Sequence, residues 1–208
     1  PAQIRNSNGP MLAAMADAMG ISPTLVIHAK DTMNALRSAL DEAAASDFIV
    51  LTGAVSAGKY DSVPDALRKF GATPVFHKVT QRPGKPIFFA TRERQLIFGL
   101  PGNPLSCHLG FHRYVAPALR RFMNREPVPP RLDGTLAVPF AMKGPRTVFQ
   151  LARAEYRDGR WLVTPMSGKG SADIYTPATA NALLRFGPGT GTVEAGTPIQ
   201  FEWLIGSR

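Results

Sequence analysis

The sequence of 208 residues has one cysteine, Cys107, and four histidines. A lone thiol excludes an internal disulfide and any zinc centre built on several thiolates. A reducing, cytoplasmic setting is the economical expectation. No apolar run approaches the roughly 20 residues that a spanning helix needs, so a membrane is not among the expected partners. The opening stretch, PAQIRNSNGP, shows no hydrophobic signal segment. Acidic residues are scarce as well, 15 against 24 Lys and Arg, which leaves a formal net charge of +9. That excess is spread along the chain, with only short doublets such as Arg68-Lys69 and Arg120-Arg121. Neither RNP-like aromatics nor a basic helical stripe accompanies it, so no nucleic-acid partner is expected. A diffuse positive field suits a small polyanionic substrate, whose local concentration it raises.

With 44% apolar and 19% charged residues the chain has the composition of a folded globular protein, long enough for one large or two small domains. Its organising stretch is Asp47 to Asp61, DFIVLTGAVSAGKYD. Phe48 to Leu51 form the short continuous apolar run of a buried parallel strand. The small residues Thr52, Gly53, Ala54, Ser56, Ala57 and Gly58 come next. Such a loop lets backbone N–H groups approach a ligand closely, and a helix beginning just beyond it favours negative charge. A second junction of the same kind runs from Gln95-Leu-Ile-Phe98 into Gly99-Leu-Pro-Gly-Asn-Pro-Leu-Ser106. In one parallel sheet the two junctions would open onto the same edge, where ligands of open α/β sheets sit. Ordinary turn chemistry explains glycine and proline at such places equally well.

Before the first junction, Ser7 or Asn8 is placed to cap an amphipathic helix over Met11 to Met19 that Gly20 ends. Thr24 to His28 reads as a strand, and Asp31 or Thr32 caps a further helix that reaches Ala43. After the junction, Pro64 sits near the start of a helix closed by Gly71, and Val75 to Val79 alternates as a strand. Gln81 to Pro86 is a rigid basic turn. Ile87 to Ala90 and Gln95 to Phe98 read as a hairpin, and Leu105 to Phe122 as a long helix. His108 and His112 are four apart on that helix, but the glutamate of a zinc-binding HExxH is absent, so metal binding there is not favoured. The polar, proline-rich Asn124 to Arg131 is the best linker. Beyond it, short strands alternate with turns at Thr135 to Pro139, Thr147 to Ala154, Trp161 to Pro165, Leu183 to Phe186 and Pro198 to Leu204. The expected architecture is α/β, a three-layer, doubly wound, mostly parallel sheet over residues 1–126 that lacks its first strand, followed by a small all-β sandwich or barrel over residues 127–208.

Five segments in order, Ile4 to Asn8, Thr52 to Asp61, Arg82-Pro-Gly-Lys-Pro86, Gly99 to Ser106, and Ser167 to Asn181, resemble the molybdopterin molybdenumtransferase family, MoeA and the E domain of gephyrin. The resemblance covers both proposed domains and corresponds to the C-terminal half of family members, which are about twice as long. It implies molybdenum cofactor biosynthesis: insertion of molybdate into adenylylated molybdopterin with release of AMP, Mg²⁺ as cofactor, and a homodimer. A molybdopterin adenylyltransferase or a non-catalytic, gephyrin-like scaffold are the alternatives.

Carried onto this chain, the resemblance assigns Asp61 to the metal and to catalysis, with Lys85 and Ser106. Thr52, Gly53, Ser56, Gly58, Arg82, Pro101, Gly102, Asn103 and Ser171 would hold the pterin nucleotide. Phosphates of that ligand call for backbone donors and Lys or Arg, consistent with these types. Three positions depart from the family pattern: Asn6 stands where an aspartate is common, Ala54 where a second glycine is, and Lys59 where an acid often is.

Overall fold

The computed structural model describes residues 5–53, 62–168, 170 and 173–207. Contacts divide the chain into two compact units, Pro1–Val79 with Gly84–Phe111, and Thr80–Pro83 with His112–Arg208. In chain order the first elements are α1 (Asn8–Asp17), α2 (Met33–Glu42), β1 (Phe48–Gly53), α3 (Ser62–Lys69), β2 (Thr73–His77), β3 (Gln81–Arg82), β4 (Phe88–Arg92), β5 (Gln95–Pro101) and α4 (Pro104–Gly110).

Local chemistry accounts for most of their ends. Thr32 caps α2 by accepting the Ala35 N–H at 3.3 Å. After α3 the chain reverses at Gly71, whose φ of +87° a residue with a Cβ adopts only under strain. At α1 the expected cap is displaced: Ser7 makes no side-chain cap bond, and the Gly9 N–H is taken by Asn6 Oδ1 at 3.0 Å. Asn8 is a helical residue and sends its side chain elsewhere.

The sheet of the first unit runs β1-β5-β4-β2. β1 and β5 are parallel, whereas β4 is antiparallel to both β5 and β2. The sheet is therefore mixed and not mostly parallel as expected. Its physical cause is the tight turn between β4 and β5, where Glu93 adopts φ 52°; a two-residue link can only return the chain antiparallel. The strand expected over Thr24 to His28 is also absent. That segment has no ladder partner among the described residues, and Val26 is 70% exposed. An apolar run alone does not make a strand, because its backbone groups need a neighbour. The core joins Leu40 of α2 and Val63, Ala66 and Leu67 of α3 to Ile49, Phe88, Ala90 and Ile97 of the sheet.

α4 passes into a π-helical turn, Phe111–Val115, and then into α5 (Ala116–Phe122). The second unit continues with β6 (Leu132–Leu136), β7 (Phe140–Met142), β8 (Thr147–Arg157), β9 (Arg160–Pro165), α6 (Tyr175–Thr179), β10 (Ala182–Phe186), β11 (Gly191–Val193) and β12 (Pro198–Trp203). Its main sheet has the order β10-β12-β6-β9-β8, and β10 pairs with β8 as well, which closes a ring of strands. Closure removes exposed strand edges and fills the interior with side chains, here Leu136, Val148, Ala152, Val163, Ala182, Leu184 and Phe201. Of the sandwich and barrel alternatives, the barrel is the one formed. β3 adds to β8 in parallel, and β7 pairs with β11.

By contacts, the change from one unit to the other falls inside the helix, at Phe111 and His112. The π turn explains this. Arg113 donates to Glu202 at 2.8 Å, Tyr114 donates to Gln81 at 2.6 Å, and the Arg113 guanidinium lies 4.9 Å from the Phe149 ring centre. Glu202 is 3% exposed and also accepts from Arg131 at 3.3 Å, so two guanidinium groups compensate its buried charge. In the first unit, His108 is buried with Nδ1 lacking a partner among the described residues, and burial lowers its pKa to about 4.

These buried ionisable groups set two expected outcomes. Glu202→Gln removes the carboxylate but not the arginines, and should cost on the order of 3 kcal/mol in urea unfolding of the barrel. An unchanged midpoint would show that the ion cluster is dispensable. For His108 the unfolded chain binds a proton that the folded chain refuses. Stability is thus whole above the ordinary histidine pKa near 6.5 and declines as pH falls toward about 4. His108→Leu should flatten that decline when thermal midpoints are measured from pH 7 to pH 4.

Candidate functional site

Parallel pairing of β1 with β5 sets Thr52 beside Leu100 and Gly53 beside Pro101, so the two strands end level with each other. Both strands therefore exit at the same edge of the sheet. The contact between the two exits is backbone on backbone. A Cβ built on Gly102 would lie 3.2 Å from the Cα and 3.4 Å from the carbonyl oxygen of Gly53. Gly53 itself has φ +110°, a conformation that costs a side-chain-bearing residue free energy. A side chain would thus strain the approach at both positions, through its φ at Gly53 and through crowding against backbone at Gly102.

A polar cluster fastens this edge. Asn8, 8% exposed, donates from Nδ2 to Thr52 Oγ1 at 2.9 Å and to the Gly102 carbonyl at 2.8 Å. Thr52 Oγ1 also lies 3.3 Å from the Pro101 carbonyl and 3.4 Å from Cys107 Sγ. Burial raises the Cys107 pKa to about 11, with the Thr52 hydrogen bond opposing it in part, so the thiol keeps its proton at neutral pH. It can then donate to Thr52 while Thr52 donates to Pro101. Cys107 is on these grounds a structural partner and not a nucleophile.

The amide orientation of Asn8 is fixed by its surroundings. A carbonyl oxygen accepts only, so the atom facing Gly102 must be Nδ2. Both of its hydrogens are consumed, and Oδ1 is left buried without a donor among the described residues. An acceptor in that condition costs about 1–3 kcal/mol.

Among the expected site residues, Thr52, Gly53, Pro101 and Gly102 are brought together at this edge. Asn103 comes next as the residue before α4, in extended backbone with φ −67°. Ser106, 4% exposed, is in the first turn of α4. Lys85 is exposed, and its carbonyl accepts from the Val79 and Ile87 N–H groups at 2.9 and 3.0 Å. Arg82 lies in β3, beside Val148 of β8 in the second unit. Ser56, Gly58, Asp61 and Ser171, together with the departures Ala54 and Lys59, lie outside the described residues. The departure at Asn6 has a local account, since its side chain holds Gly9.

Sequence reasoning missed the part played by Asn8, which reads as a helix cap, and by Cys107. No spacing rule connects residues 8, 52, 102 and 107. The available signal was weaker: an asparagine and a threonine on the two segments that flank a glycine-bearing edge.

Residues 1–121 match the family described as "Probable molybdopterin binding domain", and residues 133–204 match the "MoeA C-terminal region (domain IV)". A protein of Bacillus subtilis named molybdopterin molybdenumtransferase is 34% identical over 202 residues, covering 96% of this chain and 47% of its own length. One of the same name from Staphylococcus epidermidis is 33% identical over 201 residues, covering 94% and 47%. The chain thus spans about half the length of the curated relatives it matches. A solved structure of the molybdopterin biosynthesis MoeA protein of Pyrococcus horikoshii superposes with a TM-score of 0.80 at 23% identity, over 99% of this chain and 49% of that one, a likeness of fold. A molybdenum cofactor biosynthesis protein of Pyrococcus furiosus gives 0.71 at 26% identity, over 94% and 63%. With a mixed α/β unit succeeded along the chain by a β barrel, this chain belongs to the molybdopterin-binding family, in the arrangement of the C-terminal half of MoeA.

Proposed function

We propose that this chain supplies the molybdopterin-handling half of a molybdopterin molybdenumtransferase, which inserts molybdate into adenylylated molybdopterin and releases AMP. The observation that carries the reading is the edge where β1 and β5 end together, with Gly53 and Gly102 in contact. Two glycine-bearing exits from adjacent parallel strands leave backbone N–H groups free of side-chain obstruction, the chemistry that a phosphate or a pyrophosphate asks for. Relatives named for this activity align over nearly the whole chain, which supports the same assignment.

In this reading the chain's own residues bind and orient the nucleotide. Thr52, Gly53, Pro101, Gly102 and Asn103, with Ser56 and Gly58, shape the phosphate end. Lys85 and Arg82 neutralise anionic oxygen, and Ser106 donates a hydrogen bond from the start of α4. Ser171 is assigned to molybdate. The protein works as a homodimer.

Mg²⁺ would neutralise phosphate charge when bound. Thr52, Gly53, Gly102, Asn103 and Ser106 include no carboxylate, and no group of three or more His, Cys, Asp or Glu suited to a metal occurs among the described residues. A magnesium ion is usually held by one or two carboxylates plus phosphate oxygens. In this proposal the carboxylate is that of Asp61.

Two measurements check the proposal. Mixing the protein with adenylylated molybdopterin, Mg²⁺ and molybdate should release AMP in a molybdate-dependent way, and Asp61→Asn should abolish release. Ligand bound without any release would point to a non-catalytic scaffold. Lys85→Ala should raise KM by roughly an order of magnitude with a smaller effect on kcat, as loss of one charged hydrogen bond implies. Equal KM values would remove Lys85 from the phosphate site.

A further inference from the structure

Asn8 does something at the site edge that its place at the start of α1 does not require. We propose that Asn8 is a positioning residue for ligand binding, a clasp that sets the spacing between the exits of β1 and β5. The inference rests on the functional reading above and adds a residue to it.

Three observations support it. A single amide group reaches across 44 residues to Thr52 and 94 to Gly102, one on each exit. Beside the ladder pairing and the Thr52 hydrogen bond to the Pro101 carbonyl, Gly53 and Gly102 meet backbone to backbone, so neither carries a side chain that could fix their separation. Finally, the amide retains an acceptor, Oδ1, that is buried and has no donor among the described residues. An apolar side chain of the same shape would avoid that cost, so its presence is more economical as a device for placement than as a contribution to stability.

The molecule contains its own control. Gln95, 6% exposed, also spends both amide hydrogens, donating from Nε2 to the carbonyls of Ala43, at 3.2 Å, and Ser46, and its Oε1 is likewise buried with no partner among the described residues. It opens β5, whereas the site lies at the other end of that strand, about 20 Å away at the usual rise per residue. The two amides match in burial and bonding pattern and differ in distance from the site.

The test compares Asn8→Leu with Gln95→Leu in the intact protein, measuring molybdopterin binding by calorimetry and the folded fraction by urea unfolding. Asn8→Leu should weaken binding about tenfold or more per folded molecule, the order expected when binding groups shift by part of an ångström. Gln95→Leu should leave it within about twofold while changing stability comparably. Asn8→Ser, too short to hold both exits, carries the same expectation should the leucine variant not fold. Equal effects of the two leucine variants on affinity, or none from either, would overturn the positioning role and leave the transferase reading intact. Absence of molybdopterin binding by the unmodified protein would overturn both.

Discussion

Parallel alignment of β1 with β5 is the constraint on which the site depends. Six consecutive residue pairs fix it, from Phe48 beside Leu96 to Gly53 beside Pro101. In a parallel pair both strands deliver their successors to one edge, so a glycine-bearing exit on one meets its counterpart on the other. The hairpin of β4 and β5 serves that alignment from the opposite flank, because it brings β5 back beside β1 after the chain has left through α3 and β2. A shift of register by one residue would separate Gly53 from Gly102 and turn the alternating side chains to the wrong faces.

The barrel unit solves a different problem with the same economy. Its interior is apolar and its strands close on themselves, yet it keeps a carboxylate, Glu202, at 3% exposure. A buried charge is tolerable only with partners, and two of them come from Arg113 in the π turn and Arg131 at the entry to β6. An extra residue inserted in a helix changes which side chains face one way, and the π turn lets Arg113 and Tyr114 both meet groups of this unit.

Much of this was legible beforehand, for identifiable reasons. The apolar run at Phe48 and the small residues after it mark a strand and its exit. The turn at Glu93 separates two apolar runs and marks a hairpin, and the evenly spaced short strands after residue 132 mark an all-β unit. Strand direction was less legible, since an apolar run carries no sign of whether its neighbour runs with it or against it. Thr24 to His28 shows the limit most clearly: Leu25, Val26 and Ile27 have the composition of a strand, and composition cannot supply a partner. The interactions of Asn8 and Cys107 were invisible because they join segments distant in the chain through single hydrogen bonds, which leave no period to read.

The helix from Pro104 to Phe122 has a practical bearing on how the chain can be divided. A fragment excised at the proline-rich stretch after Asn124 would take the barrel without Arg113 and without the tyrosine that holds Gln81. Glu202 would then keep Arg131 as its remaining arginine. A barrel that keeps both arginines around Glu202 therefore carries its half of the helix as a covalent prefix.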